Sequence, residues 1–365
     1  VPFCERRCGY CAFATVAVGD RVDPAAADRY LRGVEAELAR VASLVPWDRG
    51  PASTVYLGGG TPTMLDEHRM ARLLRAVADR VPLADDVEIT VESNPDGLVP
   101  GQLESLRDAG VTRISFGLQS VQPHVLALLD RTHDPQLALD AVRRAHDAGF
   151  DHVGLDLIFG TPGERAADVE RSVLAAIDSG VDHVSAYALS VEPGTKLAAR
   201  VRSGELPVPS DDDAAARYVR ADELLTAAGF EWYELSNWAR TADARSRHNL
   251  LYWRDHDWWG LGPSAHSHVA GRRWWNHAGM EPWADALEQG QSPVAGSEQP
   301  DADERRLERV MLGIRLREGL ALVDVADTDG LQRVLEDGLA TIEHDRLVLT
   351  LQGRLLADHV VRTLA

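Results

Sequence analysis

The 365-residue chain has no apolar run of the length that a membrane-spanning helix needs, and its first residues lack the charged-then-apolar layout of a signal peptide. A cytosolic protein is expected. Basic residues are in the minority: 38 Lys and Arg stand against 57 Asp and Glu, a formal net charge of -19. Such a surface has no general attraction for nucleic acid or anionic lipid. Cysteine is scarcer still, with three in the chain, all between positions 4 and 11. An odd, crowded set is a poor disulfide framework and reads instead as a metal site in a reducing compartment. The opening Val1-Pro2-Phe3-Cys4 has no initiator methionine, so a short upstream segment is expected.

What is present points to one large domain with a smaller appendage, because 45% apolar content over this length exceeds a single small core. Short β-branched runs (54–57, 87–92, 113–116, 152–158 and 183–189) alternate with amphipathic stretches at 24–44, 66–80, 101–109, 122–147, 166–179 and 212–228. This alternation predicts an α/β fold, an incomplete parallel (β/α)6 barrel over residues 1–230. In parallel barrels and open sheets the active groups sit in loops at the carboxyl ends of the strands. The stretches Gly58-Gly59-Gly60-Thr61, Ser93-Asn94-Pro95, Gly117-Leu118-Gln119-Ser120 and Gly160-Thr161-Pro162-Gly163 all follow strands. They are expected to converge on one mouth.

From residue 231 to about 300 the composition changes, and eight of the nine tryptophans fall between Trp232 and Trp283. Residues 301–365 read as helix, helix, a small strand pair and a final helix, the order of a small winged-helix-like α/β domain. The acidic charge favours a structural or partner-docking role for it over DNA binding.

The spacing Cys4-x3-Cys8-x2-Cys11 has Gly9 and the aromatics Tyr10 and Phe13 interleaved. Three thiolates can hold three irons of a cubane and leave the fourth open to a small ligand. A structural zinc site is the alternative, but it wants four ligands, and no fourth candidate is nearby. A [4Fe-4S] cluster with an open iron can take the amino and carboxylate groups of S-adenosylmethionine, so that an electron reaches the sulfonium and the cofactor supplies the difficult chemistry.

These residues resemble the signature of the radical S-adenosylmethionine superfamily, with Tyr10 as the aromatic before the last cysteine. Within it the chain is similar to the branch of the oxygen-independent coproporphyrinogen III oxidases and the HemW family of heme chaperones. The resemblance implies that Gly59, Gly60 and Thr61 face the methionine part of the cofactor. It implies further that Glu92, Gln119, Arg131 and Asp156 contact the cofactor or its sugar and carboxylate. Taken singly, Glu92 and Asp156 could equally cap turns, and Arg131 could be an exposed helix residue. The upstream segment, by the same resemblance, supplies the first barrel strand and a tyrosine near the cofactor.

Two functions compete. One is oxidative decarboxylation of coproporphyrinogen propionates; the other is binding and delivery of heme. Phe13 stands where the oxidase has a further cysteine, and the oxidase's N-terminal extension is not in this chain. The run His248-Asn249-Leu250-Leu251-Tyr252-Trp253 resembles the HNxxYW motif associated with heme in the chaperone family. It offers Tyr252 and Trp253 as walls and His248 as an iron ligand, with Asn249 beside it and Arg245, Arg247 or Arg272 for propionates. The same motif could instead hold the open side of the sheet closed. A radical methyltransferase or cyclopropanase is a third reading. The low potential that such a cluster requires leads to the expectation of a flavodoxin-like or ferredoxin-like electron donor, and the heme acceptor is unidentified. The resemblance also implies a homodimer and loose membrane association, for which the sequence offers no amphipathic anchor.

Overall fold

The computed structural model describes residues 1–44 and 50–364. Two short parallel strands, β1 (Phe3–Cys4) and β2 (Val16–Ala17), frame the cysteine loop. Helix α1 (Pro24–Leu44) leads into the repeats: β3 (Ala52–Leu57), α2 (Glu67–Ala78), β4 (Leu83–Ser93), α3 (Gln102–Asp108) and β5 (Arg113–Gln119). These continue through α4 (Pro123–Leu128), α5 (Pro135–Asp147), β6 (His152–Phe159), α6 (Ala166–Asp178), β7 (His183–Ala188), α7 (Lys196–Arg202) and α8 (Asp211–Ala227). Strands β3 to β7 lie side by side in chain order, all parallel. The hairpin of β8 (Glu231–Glu234) and β9 (Asn237–Ala239) then extends the sheet antiparallel from β7. The architecture is the expected incomplete barrel, with five parallel strands among the described residues where six repeats were expected.

Period-two alternation explains how one sheet serves two purposes. On β5 the residues Ile114, Phe116 and Leu118 are fully buried, as are Val153 and Leu155 on β6 and Val184 on β7. These belong to the main apolar core, which the residues Leu103, Ala141, Val142 and Val173 of the surrounding helices share. The intervening side chains are polar and point into the barrel: Glu88, Thr90 and Glu92 on β4, Arg113 and Ser115 on β5, Asp156 on β6, His183 and Ser185 on β7. The apolar half holds the helices on, and the polar half lines an interior.

The single amphipathic stretch expected over 122–147 is two helices. Pro135 cannot continue a helix from the preceding turn, and Asp134 caps α5 by accepting from Gln136 N. Between them Asp130 adopts φ 54°, and the chain turns so that Arg131 leaves the helix surface and enters the barrel mouth. An exposed helical arginine becomes an interior one because of a proline four residues away.

After the hairpin come α9 (Arg247–Trp253), a three-stranded antiparallel sheet of β10 (His266–Val269), β11 (Arg272–Asn276) and β12 (Val294–Glu298), and α10 (Met280–Glu288) between the last two strands. The tryptophans divide. Trp232, Trp238 and Trp283 are buried in the main core, while Trp253, Trp258, Trp259, Trp274 and Trp275 are half-buried. The chain ends with α11 (Ala302–Gly313), β13 (Leu320–Ala321), α12 (Thr328–Glu336), β14 (Ala340–Glu343), β15 (Arg346–Leu349), α13 (Leu351–Leu355) and α14 (Ala357–Leu364). This winged-helix-like unit has its own core of Val310, Ile314, Val334, Leu347 and Val360. Arg354 fastens it to the barrel by a bidentate pair with Asp222 on α8, at 2.9 and 2.8 Å.

Candidate cofactor site

The loops at the carboxyl ends of the parallel strands close around a cavity of about 520 Å³. Cys4, Cys8 and Cys11 line it, all three half-buried and free of disulfides. The glycine run explains how the cysteine loop comes so near the sheet. Gly60 N donates to Val1 O and Thr61 N to Phe3 O, so the two loops pair like strands. A Cβ on Gly60 would stand 2.6 Å from Phe3 O, and one on Gly58 would stand 2.8 Å from Glu92 Oε2. Only glycine admits that approach.

Around the thiols the polar groups are tied together. Thr61 Oγ1 contacts Cys4 Sγ at 3.9 Å and accepts from Asn94 Nδ2 at 2.9 Å. Arg131 Nη1 donates to Cys8 Sγ at 3.6 Å and Nη2 to Gly117 O at 3.0 Å. Gly117 is the last interior residue before β5 slips register against β6, and Gln119 beyond it is held at φ 63°. Such a conformation is costly for a residue other than glycine and is typical of binding sites. Its amide folds back over Gly117, where a Cβ would meet Gln119 Nε2 at 2.7 Å.

Two carboxylates complete the wall. Glu92 accepts from Tyr56 OH at 2.6 Å and Gly59 N at 3.2 Å, and burial raises its pKa. Asp156 accepts from Ser115 Oγ at 3.1 Å; burial first, and the nearby Glu92 second, push its pKa up to about 6. Tyr10 lines the same cavity, and burial lifts its phenol above the usual range. Every residue that the sequence assigned to a cluster and its cofactor therefore faces one space. Asn94, which holds Thr61, lay in one of the stretches expected at the mouth; Tyr56, which holds Glu92, carried no motif signal of its own.

The donor set fits a cubane. Among the described residues no three His, Cys, Asp or Glu side chains stand close enough to share a single metal ion, whereas each thiolate of a cubane binds a different iron. Burial raises the Cys4 and Cys11 thiols, so metal binding must displace protons there. Arg131 Nε is buried and has no hydrogen-bond partner among the described residues. The guanidinium as a whole lines the cavity and sets a cation beside the thiols.

The second motif is dispersed. Asn249 lines the cluster cavity from below. His248 and Tyr252 instead line a second cavity of about 840 Å³ beside β3, with Trp258, Trp259, His256 and His266. Trp253 turns a third way, donating to the buried Glu234 carboxylate and packing against Tyr233, Leu250 and Leu316. Neither ring nitrogen of His248 is free: Nδ1 is bonded to the Thr54 hydroxyl at 2.9 Å and Nε2 to the Tyr252 hydroxyl at 3.0 Å. Burial holds its pKa down to about 4, so the ring is neutral. Of the three arginines, Arg245 pairs with Glu231 and Arg247 with Asp86, while Arg272 reaches the Ser297 hydroxyl and no carboxylate among the described residues.

Comparison with known proteins agrees with this geometry. The model of the Radical SAM superfamily matches residues 1–176. Over 366 residues, all of this chain and 93% of the relative, the sequence is 50% identical to a protein of Mycobacterium tuberculosis named heme chaperone HemW. A protein of the same name from Bacillus subtilis is 31% identical over 99% of this chain and 96% of its own. Among solved structures, the coproporphyrinogen III oxidase HemN of Escherichia coli, a radical SAM enzyme, superposes with a TM-score of 0.84 at 22% identity. That match covers 100% of this chain and 88% of HemN and speaks for the fold alone. On full-length identity and on the cysteine-lined cavity, the chain belongs to the HemW branch of the radical SAM superfamily.

Proposed function

We propose that the protein is a cytosolic heme chaperone that carries a [4Fe-4S] cluster on Cys4, Cys8 and Cys11, binds S-adenosylmethionine at the open iron, and hands heme to an acceptor protein. The observation that carries this reading is the full-length 50% identity to a relative named for that role, joined to a cavity whose cysteines, carboxylates and arginine face one another. The cluster supplies low-potential one-electron chemistry to the sulfonium when bound. The chain's own residues do the holding. The backbone of Gly59, Gly60 and Thr61 receives the methionine part, Arg131 and Gln119 its carboxylate, and Glu92 and Asp156 accept from ribose hydroxyls. Tyr10 closes the side next to Cys8.

Heme would lie against the aromatics on and after α9, where the exposed Tyr252 and the half-buried Trp258 and Trp259 offer flat walls. Arg272, with no carboxylate on it among the described residues, is the candidate for a propionate. For His248 to ligate iron through Nε2 it gives up the Tyr252 hydroxyl, an exchange of about 1 kcal/mol. A flavodoxin-like or ferredoxin-like donor and a second copy of the chain complete the set of partners.

The test is anaerobic reconstitution with iron and sulfide, then titration with heme and, in parallel, with coproporphyrinogen III plus S-adenosylmethionine and a reductant. Saturable one-to-one heme binding without decarboxylated product is expected. Turnover to protoporphyrinogen without saturable heme binding would replace this reading with that of an oxidase.

A further inference from the structure

The polar groups of α9 reach the cofactor cavity by a continuous chain of contacts. Helix α9 begins where Ser246 caps it and where the buried Glu88 carboxylate accepts from Arg247 N and His248 N, at 3.2 and 3.1 Å. Glu88 in turn pairs with Arg113 at 3.1 Å, both side chains almost fully buried. The first turn of α9 is therefore fixed to the floor of the barrel. From that fixed turn the His248 ring stacks on Tyr56, centroids 4.7 Å apart and planes 19° from parallel. Hydroxyls at both ring nitrogens set its rotation. The Tyr56 hydroxyl then donates to Glu92 Oε1 at 2.6 Å, while Gly59 N holds Oε2.

We infer that His248 is a positioning residue for the cofactor cavity: by stacking on Tyr56 it fixes the phenol that orients the Glu92 carboxylate, and so couples the aromatic unit to S-adenosylmethionine binding. The inference rests on the reading of Glu92 as a ribose acceptor. Its physical basis is that Tyr56 is held at two points. The flat imidazole against one face opposes tilting of the ring, and the 2.6 Å bond at the tip opposes displacement of the hydroxyl. Without the ring, the phenol gains freedom, and a buried carboxylate losing its short hydroxyl donor turns to find another. A ligand that draws His248 away from Tyr252 would disturb the same stack. Heme and S-adenosylmethionine are then linked reciprocally, since coupling between two sites acts equally in both directions.

The experiment uses the full chain with its cluster reconstituted, and measures S-adenosylmethionine affinity by calorimetry for His248→Ala, His248→Phe, Tyr56→Phe and the double variant His248→Ala/Tyr56→Phe. Iron content and thermal melting are recorded for each to show that the proteins are folded and loaded. His248→Ala and Tyr56→Phe are each expected to weaken affinity about tenfold, and the double variant no more than either alone, because both cut the same linkage. His248→Phe keeps a ring on Tyr56 and is expected to restore most of the loss. Affinity unchanged in folded, loaded Tyr56→Phe would overturn the inference, as would losses that simply add in the double variant. A wild-type chain that holds its cluster yet binds no S-adenosylmethionine would instead defeat the functional reading on which the inference stands.

Discussion

In the cluster cavity Cys4, Cys8 and Cys11 are free of disulfides and line one space together with Tyr10, Gln119, Arg131 and Asp156. On α9, a few residues of chain away from the same barrel floor, His248 has a hydroxyl on each nitrogen and Trp253 spends its indole N–H on Glu234. Both regions carry a motif that can be read from the sequence. One motif lines a cavity with its groups, whereas the other uses much of its hydrogen-bonding capacity to hold the chain together. Motif recognition cannot separate these cases, because the residue types are the same and only the partners differ.

The comparison is broken most decisively at the thiols. Replacing any one of Cys4, Cys8 or Cys11 with Ala is expected to abolish cluster retention, measured as iron and sulfide per chain after anaerobic reconstitution, while leaving the fold intact. His248→Ala should keep full iron content. A cluster that survives a cysteine variant would remove the distinction between the two regions.

Next in size is the floor that both regions share. Arg113 and Glu88 form a buried pair with further bonds to Ala244 O, Arg245 O and the first turn of α9. Arg113→Ala leaves Glu88 buried without its cation and is expected to cost about 3–5 kcal/mol of stability by denaturant unfolding. Gly60→Ala tests the loop pairing more locally. Its Cβ would meet Phe3 O at 2.6 Å, so the cysteine loop must back away from the sheet. Slower reconstitution and faster cluster loss are expected, with little change in unfolding.

His248→Ala sharpens the other half of the comparison. Two hydrogen bonds and an aromatic stack are lost, worth about 2 kcal/mol together. A thermal midpoint that falls while heme affinity holds would assign the motif to structure; the reverse would assign it to iron.

The smallest effect is a pH slope at Glu234. Burial, outweighing bonds from Asn237 and Trp253, pushes its pKa up to about 7 in the fold, against 4.5 for the free group. The native state therefore binds the proton more tightly than the unfolded chain does. From Glu234 alone, stability is highest below about pH 4.5 and falls as pH rises toward 7. Glu234→Gln should flatten that part of the profile, read as urea midpoints at pH 5 and pH 8.

Much of the barrel was legible in advance. The five β-branched runs coincide with β3 to β7 to within a few residues, because period-two alternation and the helical stretches between them are local signals. The stretch expected over 122–147 was drawn as one: apolar residues recur on both sides, but Asp130 to Asp134 carry none, and a cap and a proline start a second helix there. That division matters, since it brings Arg131 to Cys8. Among the site residues, the cysteines and the glycine run were readable because their chemistry depends on spacing along the chain. Tyr56 was not singled out, because a tyrosine in a strand looks ordinary until the fold sets it against Glu92; Asn94 was read only as part of a turn at the mouth until the fold set it against Thr61.

The sequence by itself determined the barrel class, the cluster loop and the glycine approach, since each is encoded in neighbours a few residues apart. Only the tertiary structure decided which way each motif residue faces. His248 and Asn249 are adjacent in the chain, yet a helix turns successive side chains by about 100°, so they enter two different cavities. Which of those cavities a residue serves depends on contacts with strands nearly two hundred residues earlier, such as Thr54 with His248, and no local pattern carries that information.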